Sequence, residues 1–244
     1  MLVSKKIKEM YLILLEGYGP QGWWPLMSKA GARNFDSRGY HKGVYDHPKT
    51  RGQRFEVVAG AILTQNTTWK NVEKALTAMH SANIVSPEKI LSSRDSILSR
   101  LIRPAGYYNQ KAKKLKSVSN WFIENDLRVA RSGNSEKEIR LARENLLKVN
   151  GVGPETADSI LLYAYNKPIF VVDAYTKRIF RSFNLYDPEK VRKNEYSHLQ
   201  GLVHDAFRNE KNKAKTFNEF HALIVERGKF EGIASKRIFK SRKC

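Results

Sequence analysis

The chain has 244 residues, with 44 Lys and Arg against 24 Asp and Glu, and a formal net charge of +20 at pH 7. A chain of this length can bury a sizeable core as one domain or two. The positive charge far exceeds what solubility needs, so it predicts a polyanionic partner such as nucleic acid, although a merely basic surface would give the same count.

Cysteine and hydropathy exclude several classes of protein. The only cysteine, Cys244, rules out a disulfide within one chain and any all-cysteine metal or iron–sulfur site. The six histidines lack ligand spacing, so we assign no metal to them. The apolar run Tyr11 to Leu15 is too short for a signal peptide, and no stretch could span a bilayer. We therefore expect a soluble, cytoplasmic protein that binds no membrane.

Helical periodicity begins near the start of the chain. Apolar residues from Ile7 to Leu15 share one helical face, and Gly17 to Pro20 ends that helix. Trp23-Trp24-Pro25 follows in a loop. The stretch from Leu26 to Gln53 has no period and is rich in Gly, Arg, Lys and His, which predicts a long excursion over the surface.

Further helices are predicted along most of the remaining chain. The only strand-like run is Ile169 to Val172, which alone cannot build a sheet. Ser86 and Pro87 mark one helix start, and Ser135 with Glu138 forms a capping box at another. Ser235 to Cys244 is read as a frayed basic tail. The apolar patterns lie at residues 55–63, 69–79, 97–102, 109–122, 179–183, 196–207 and 217–224.

A short turn, Asn150-Gly151-Val152-Gly153-Pro154, separates two of these helical segments. Backbone N–H groups at a helix start are unpaired and lie at the positive end of the helix dipole, and glycine lets a bulky anion approach. The turn therefore predicts a phosphate-binding element. A carboxylate, Asp173, follows soon after in an apolar run.

At these positions the sequence resembles a known family. LLKVNGVGPETADSILLYA resembles the helix-hairpin-helix of the endonuclease III superfamily of base-excision DNA glycosylases, and VVDAYTKR resembles the segment that carries its catalytic aspartate. GAILTQNTTWKNVEKAL is similar to the early helices of the superfamily's barrel. WWP, LTQNT and IRPAGYYNQKAKKL together resemble its 3-methyladenine DNA glycosylase branch. The resemblance covers most of the chain from Trp23 to Ile224.

The resemblance implies an all-α, two-lobed helix-hairpin-helix glycosylase fold. A six-helix barrel that includes the hairpin is expected over residues 54–167. Residues 1–53 and 168–244 would form a second helical lobe that carries the aspartate. The cleft between the lobes would receive DNA. Periodicity by itself predicts many helices but not their arrangement.

Asp173 is the catalytic residue that the resemblance implies. Excision of a base breaks an N-glycosidic bond through a transition state with positive charge on the sugar. An ionised carboxylate beside that charge lowers the barrier and can orient the attacking water. Its position alone is equally consistent with an N-cap of the next helix, and the two roles can coexist.

Glu155 stands where bifunctional members of the superfamily have a lysine. That lysine attacks the sugar as an amine and cleaves the strand through a Schiff base. A carboxylate cannot form this adduct. The sequence therefore predicts a monofunctional enzyme that leaves an abasic site.

Aromatic residues are expected to hold the flipped base, because aromatic faces bind alkylated, positively charged purines well. Trp24, Pro25 and Trp69 match positions that line the base pocket in the 3-methyladenine branch, and Trp23 is their neighbour. Core packing is the alternative role for each tryptophan. Gln65 stands where the superfamily inserts a side chain into the gap left by the base; its alternative is an ordinary polar residue at a helix end.

Phosphate contacts are expected from the amides of Gly151 and Gly153, with a monovalent cation bound by hairpin carbonyls. Five basic side chains could support them, although each alone could equally be a solvated surface charge. They are Lys111, Lys113, Lys114, Lys177 and Arg178.

The sequence thus predicts a monomeric, monofunctional glycosylase that removes 3-methyladenine-like bases from double-stranded DNA. Three alternatives stay open: a glycosylase for uracil, hypoxanthine or an oxidised base, a bifunctional glycosylase and lyase, and a DNA-binding module without chemistry. Two features depart from the superfamily. Its four-cysteine loop is missing, so no iron–sulfur cluster is expected. The excursion over 26–53 is unusually long, which leaves the substrate range open.

Overall fold

The structure, a computed structural model, describes residues 2–241, with side chains described as far as residue 229. Within these residues the chain is built from helices and loops and contains no β-strand, which confirms the all-α prediction. Short 3-10 turns occur at Met27–Lys29 and Arg103–Ala105, and a π-helical turn at Ile160–Ala164. The α-helices are α1 (Leu2–Tyr18), α2 (Arg51–Leu63), α3 (Trp69–Ser81), α4 (Pro87–Ser92), α5 (Asp95–Leu101), α6 (Tyr108–Arg131), α7 (Glu136–Leu147), α8 (Pro154–Ser159), α9 (Ala174–Ser182), α10 (Pro188–Val191), α11 (Glu195–Ala206) and α12 (Lys213–Ser241).

Local capping explains where several helices begin. Thr50 and Gln53 form a reciprocal capping box at the start of α2. The capping box predicted from Ser135 and Glu138 is present at the start of α7. Ser86 accepts a hydrogen bond from the backbone of Lys89, with proline at the first position of α4. These bonds satisfy N–H groups that would otherwise lack a partner.

The chain divides into two compact units. The first, which we call the hairpin unit, is Trp23–Pro168. The second, the aspartate unit, combines Met1–Gly22 with Ile169–Cys244. The boundary after residue 168 is close to that expected. The sequence predicts that residues 23–53 belong to the second lobe. In the structure they lie in the hairpin unit.

A buried carboxylate explains why the excursion belongs to the hairpin unit. Glu56 of α2 is 1% exposed and accepts hydrogen bonds from the backbone N–H groups of Met27 and Ser28. Farther along the excursion, Arg38 forms an ion pair of 2.6 Å with Glu73 of α3. These contacts join residues far apart in sequence, so local patterns could not predict them.

In the hairpin unit α2 is buried along most of its length and packs on α3, α6 and the π-helical turn. A buried ion pair links α2 to α6: Arg54 donates to both oxygens of Asp126, at 2.7 and 2.8 Å. The hydroxyl of Tyr165 donates to the same carboxylate at 3.1 Å. Asp126 therefore has charged and neutral donors that compensate for its loss of water.

The aspartate unit is held by an aromatic core where α1, α9, α11 and α12 meet. Phe170, Phe207 and Phe217 pack against Phe220 or each other with ring centroids 5.7 to 6.3 Å apart. Ile169 to Val172, the strand-like run, is a buried loop. Its apolar pattern reflects burial in this core.

The end of the chain is only partly described. The backbone of the predicted basic tail is helical as far as Ser241, as the last part of α12. Residues 242–244, including Cys244, lie outside the described residues. No described helix is long and apolar enough to cross a membrane.

Candidate active site

Asp173 immediately precedes α9 and is its N-cap. Its Oδ1 accepts hydrogen bonds from the backbone N–H of Thr176 at 2.7 Å and from the Thr176 hydroxyl at 2.9 Å. Asp173 therefore does cap α9, which is the alternative role that its position in the sequence allows. Because these bonds occupy one carboxylate oxygen, the other oxygen can still have a second role.

The second oxygen of Asp173 faces a histidine. Oδ2 lies 3.6 Å from Nε2 of His221 on α12, and the two side chains are 13% and 10% exposed. Burial raises the pKa of the Asp173 carboxyl, but His221 and Thr176 together outweigh burial and hold that pKa below its usual value. The site thus contains a buried carboxylate that is stabilised in its ionised form. Nothing in the local sequence pattern indicated His221.

The two basic residues predicted beside Asp173 have different surroundings. Lys177 forms an ion pair of 2.9 Å with Glu195. Arg178 is exposed, donates to the backbone carbonyl of Gly228 at 2.7 Å and lies over the ring of Tyr175. Glu195 therefore matches the charge of Lys177, whereas no carboxylate pairs with Arg178 among the ion pairs of the described residues.

The predicted turn joins α7 to α8 in the hairpin unit. Gly151 has φ +85°, a conformation that side chains other than glycine rarely adopt, and a Cβ there would lie 2.4 Å from Cγ of Lys114. Gly153 is exposed and precedes Pro154, the first residue of α8. Glu155 is exposed in the first turn of α8. Gly151 thus lets the chain turn sharply and pack closely on the stem of Lys114.

A buried ion pair holds the two helices of the hairpin together. Arg143 of α7 donates to both oxygens of Asp158 of α8, at 2.6 and 3.1 Å. Asp158 is fully buried. Since a two-point guanidinium–carboxylate contact restricts orientation as well as distance, the pair fixes how α7 and α8 meet.

The side chain of Gln65, just after α2, lies on this hairpin. Its amide nitrogen donates to the carbonyl of Gly151 at 2.8 Å and to the hydroxyl of Thr156 at 3.0 Å. Its amide oxygen accepts from Nζ of Lys114 at 2.7 Å. The sequence predicts that Gln65 either enters the gap left by the base or is an ordinary polar residue at a helix end, and it does not indicate this contact with the hairpin.

The Gln65 contact bears on the predicted monovalent cation. The carbonyl of Gly151 is turned toward an amide donor, and that of Val149 accepts the N–H of Val152 at 3.0 Å. Each of these carbonyl oxygens keeps a second lone pair, so the monovalent cation at the hairpin stays a prediction. Among the described residues, no group of three or more His, Cys, Asp and Glu side chains could hold a metal ion.

One predicted phosphate contact is wrong. Lys111 is 2% exposed, and its ammonium donates to the carbonyls of Leu63 at 2.8 Å and Ala105 at 2.7 Å. Burial, and then the neighbouring charge of Lys114, lower the pKa of Lys111 to about 8. The ammonium of Lys111 therefore binds backbone carbonyls inside the protein, one of them at the end of α2, and cannot reach a phosphate. Lys113 is exposed, and Lys114 is half-buried beside Gln65.

The predicted base-pocket residues form one buried cluster. Trp23, Trp24 and Trp69 are 9%, 6% and 9% exposed, and their ring centroids lie 4.9 to 5.4 Å apart. Pro25 is buried next to them in sequence, and Tyr163 packs on Trp24 at 5.1 Å. The structure thus brings the predicted residues together, with their rings packed on one another.

The cluster also contains polar atoms without a partner. The indole nitrogens of Trp24 and Trp69 are buried and find no hydrogen-bond acceptor among the residues that the structure describes. Gly60 of α2 lies so close to Trp24 that a Cβ there would be 3.0 Å from the indole nitrogen. Buried donors without acceptors cost free energy, which marks the cluster as a place where an acceptor would bind favourably.

The start of α6 presents an aromatic surface for which no role is predicted from the sequence. Tyr107 is 65% exposed with φ +47°, and Tyr108 is 36% exposed. Together with Asn109 and Gln110 they line a shallow surface hollow. Exposed aromatic faces can stack on nucleic-acid bases.

Comparison with known proteins gives consistent matches. A family model described as HhH-GPD superfamily base excision DNA repair protein matches residues 59–204. A Methanocaldococcus jannaschii protein named as a "putative DNA repair glycosylase" is 40% identical over 223 residues, which span 90% of this chain and 86% of that protein. Endonuclease III of Thermotoga maritima is 30% identical over 125 residues, 51% of this chain and 54% of that protein.

A solved structure is similar over nearly the whole chain. It is the 3-methyladenine DNA glycosylase of H. pylori bound to 1,N6-ethenoadenine. The sequence identity is 27%, the TM-score is 0.65, and the match covers 94% of this chain and 96% of that one.

The internal role of Lys111 can be tested by replacing it with Met. We expect Lys111→Met to lower the free energy of unfolding by about 2 kcal/mol, because two buried carbonyls lose their donor. The exposed Lys113→Met is the matched control and should change stability by no more than about 0.5 kcal/mol. Urea unfolding measures both. Unchanged stability in Lys111→Met, with a weaker salt dependence of DNA binding, would restore the phosphate role.

Proposed function

This chain belongs to the HhH-GPD superfamily of base-excision DNA repair proteins, as a DNA glycosylase, and we propose that it is a monofunctional enzyme for alkylated bases. In this proposal it hydrolyses the N-glycosidic bond of 3-methyladenine-like bases and leaves an abasic site. The single observation that carries the mechanism is the Asp173 carboxylate. It is buried, ionised and held at a helix start.

The proposed reaction requires only one carboxylate. When the bond between C1′ and the base breaks, its electron pair leaves with the base and positive charge develops on the sugar. Asp173 stabilises that charge, orients the water that adds to C1′ and accepts the proton that this water loses, which then passes to solvent. A purine alkylated at N3 or N7 already carries positive charge, so it departs as a neutral base without an added proton. This chemistry favours alkylated substrates.

Recognition of the base is assigned to Trp23, Trp24, Pro25 and Trp69. Their rings supply stacking surfaces, and the two indole N–H groups without acceptors supply hydrogen-bond donors. The related H. pylori enzyme, bound to an ethenoadenine, supports an alkylated purine as ligand.

DNA binding is assigned to the hairpin turn and the exposed basic side chains. The amides at Gly151 and Gly153 would meet a phosphate, with Lys113 and Arg178 as exposed cations. Lys114 and Lys177 would contribute after leaving their present partners, Gln65 and Glu195. The net charge of +20 supports duplex DNA as the partner.

Gln65 is assigned to the gap that the flipped base leaves. To reach into the duplex its side chain has to leave the hairpin, which breaks its bonds to Gly151, Thr156 and Lys114. Filling the gap would replace the stacking that the base loses on leaving the helix. We further propose that the protein acts as a monomer in the cytoplasm, on DNA that contains a damaged base.

Other lesions are the main competing substrates. A glycosylase for uracil, hypoxanthine or an oxidised base would share the hairpin and Asp173 but release a neutral base. Duplexes that each contain one of these lesions distinguish the candidates by which base is released. No described feature favours one of them over an alkylated purine.

Glu155 predicts that the enzyme forms no Schiff base. We expect borohydride, added while the protein acts on damaged DNA, to trap no covalent complex, because a carboxylate is not an amine nucleophile. Electrophoresis under denaturing conditions detects the complex. A bifunctional glycosylase treated in parallel is the positive control, and efficient trapping of this protein would show lyase chemistry.

Replacement of Asp173 by Asn tests the proposed mechanism. We expect Asp173→Asn to slow base release by about 100-fold or more, because the charge opposite the sugar is lost. DNA affinity should not fall and the cap of α9 should persist, since Asn caps a helix as well as Asp does.

Asp187→Asn is the matched control. Asp187 is also an N-cap aspartate of the aspartate unit, but its side chain is exposed, at the start of α10. This variant should release bases at the normal rate. Base release by Asp173→Asn at the normal rate would contradict the mechanism, and DNA binding without base release by the unaltered protein would indicate a binding module.

A further inference from the structure

The two oxygens of Asp173 have separate partners. Oδ1 is bound by the backbone N–H and the hydroxyl of Thr176, as the cap of α9. Oδ2 lies 3.6 Å from Nε2 of His221. This distance is longer than that of a hydrogen bond, and the contact is an ion pair when the imidazole is protonated. The oxygen that the cap does not occupy is therefore Oδ2, which lies beside His221.

His221 is held in place by its surroundings. It lies on α12, and only 10% of its side chain is exposed. Its ring packs edge-on against Phe170, with centroids 6.2 Å apart and planes at 82°. Phe170 is fully buried and lies in the loop that leads to Asp173. Since the same loop and helix hold both partners, their separation is fixed by the packing of the unit.

The other charged and titratable groups on the neighbouring helices have partners of their own. On α9, Lys177 pairs with Glu195 and Arg178 donates to a backbone carbonyl of α12. On α12, Glu219 accepts the N–H of Gln21 at 2.7 Å. On α1, Tyr11 packs its ring against Phe207 and Phe220. On α11, the ring of His204 lies 4.8 Å from that of Phe217 and accepts the N–H of Phe170. His221 is thus the group of opposite charge that acts on Asp173 within this unit.

We propose that His221 is a positioning residue for Asp173: its ring holds Oδ2 in place and opposes protonation of the carboxyl during base release. The inference rests on the proposed catalytic function of Asp173. His221 itself takes no part in bond making or breaking.

The sign of the effect follows from the forces on Asp173. Burial raises the pKa of the carboxyl, and His221 and Thr176 oppose burial. Without His221 the balance moves toward burial, so the carboxyl gains its proton at a higher pH. An opposite charge within 4 to 6 Å typically lowers a carboxyl pKa by about one to three units. Loss of His221 should therefore move the acid limb of base release upward by about one pH unit.

The test is the pH profile of single-turnover base release from methylated duplex DNA, with the spontaneous loss of bases at each pH subtracted. The proteins compared are the unaltered chain, His221→Gln, His221→Phe and the control His204→Gln. His204 is a histidine of the same unit that accepts the N–H of Phe170 at 3.3 Å. Both His221 variants should shift the acid limb upward by about one pH unit and approach the normal rate at higher pH. The acid limb of the pH profile of His204→Gln should stay at the same pH as that of the unaltered protein.

Other outcomes would overturn the proposal. An unmoved acid limb, or a rate reduced by the same factor at every pH, would leave His221 with only a packing role. If neither His221 variant folds, the carbon-13 chemical shift of the Asp173 carboxyl can be titrated in the unaltered protein. A midpoint at or above that of an ordinary aspartate would then contradict the proposal. These results differ from failure of the proposed function, in which the unaltered protein releases no base or Asp173→Asn releases it normally.

Discussion

One constraint underlies the proposed site: the carboxylate of Asp173 must stay ionised although it is largely buried. Asp173 loses most of its water in the aspartate unit, and this loss by itself favours the neutral acid. Two donors of Thr176 and the nearby ring of His221 reverse that preference. Thr176 binds one oxygen through its backbone and hydroxyl, and His221 faces the other. The helix cap is therefore part of the site, because it secures the charge and directs the remaining oxygen.

The hairpin unit shows a different use of polar contacts. Gln65 and Lys114 hold the turn at Gly151 by hydrogen bonds and by the packing of a lysine stem under a glycine. Arg143 and Asp158 fix the helices on either side. The buried pair is expected to persist, whereas the half-buried Gln65 can exchange its partners for water at little cost. The turn thus combines a rigid frame with a side chain that is able to leave it.

Much of the fold could be predicted from the sequence because its signals are local. The capping box at Ser135 and the sharp turn at Gly151 follow from residue types at short spacing, and both are present. Predictions from the sequence were wrong where packing between residues far apart in the chain determines the environment of a side chain. Lys111 belongs to a run of lysines, yet its ammonium is buried against the carbonyls of Leu63 and Ala105.

Contacts between distant parts of the chain explain the other differences. His221 and Asp173 meet only because α12 packs on α9, and no spacing rule connects them. Residues 23–53 join the hairpin unit because Glu56 of α2 binds their backbone. The resemblance to a family brought Trp24 and Trp69 into one hypothesis, but their mutual packing and the contact with Tyr163 depend on the folded chain.

The most direct measurement is incubation of the protein with methylated duplex DNA. Chromatography then identifies the free bases, and a denaturing gel shows whether the strands are intact. The account predicts free 3-methyladenine from strands that break only after alkali is added. Strand cleavage at the same rate as base release, or no release of alkylated bases while uracil or an oxidised base is removed, would contradict it.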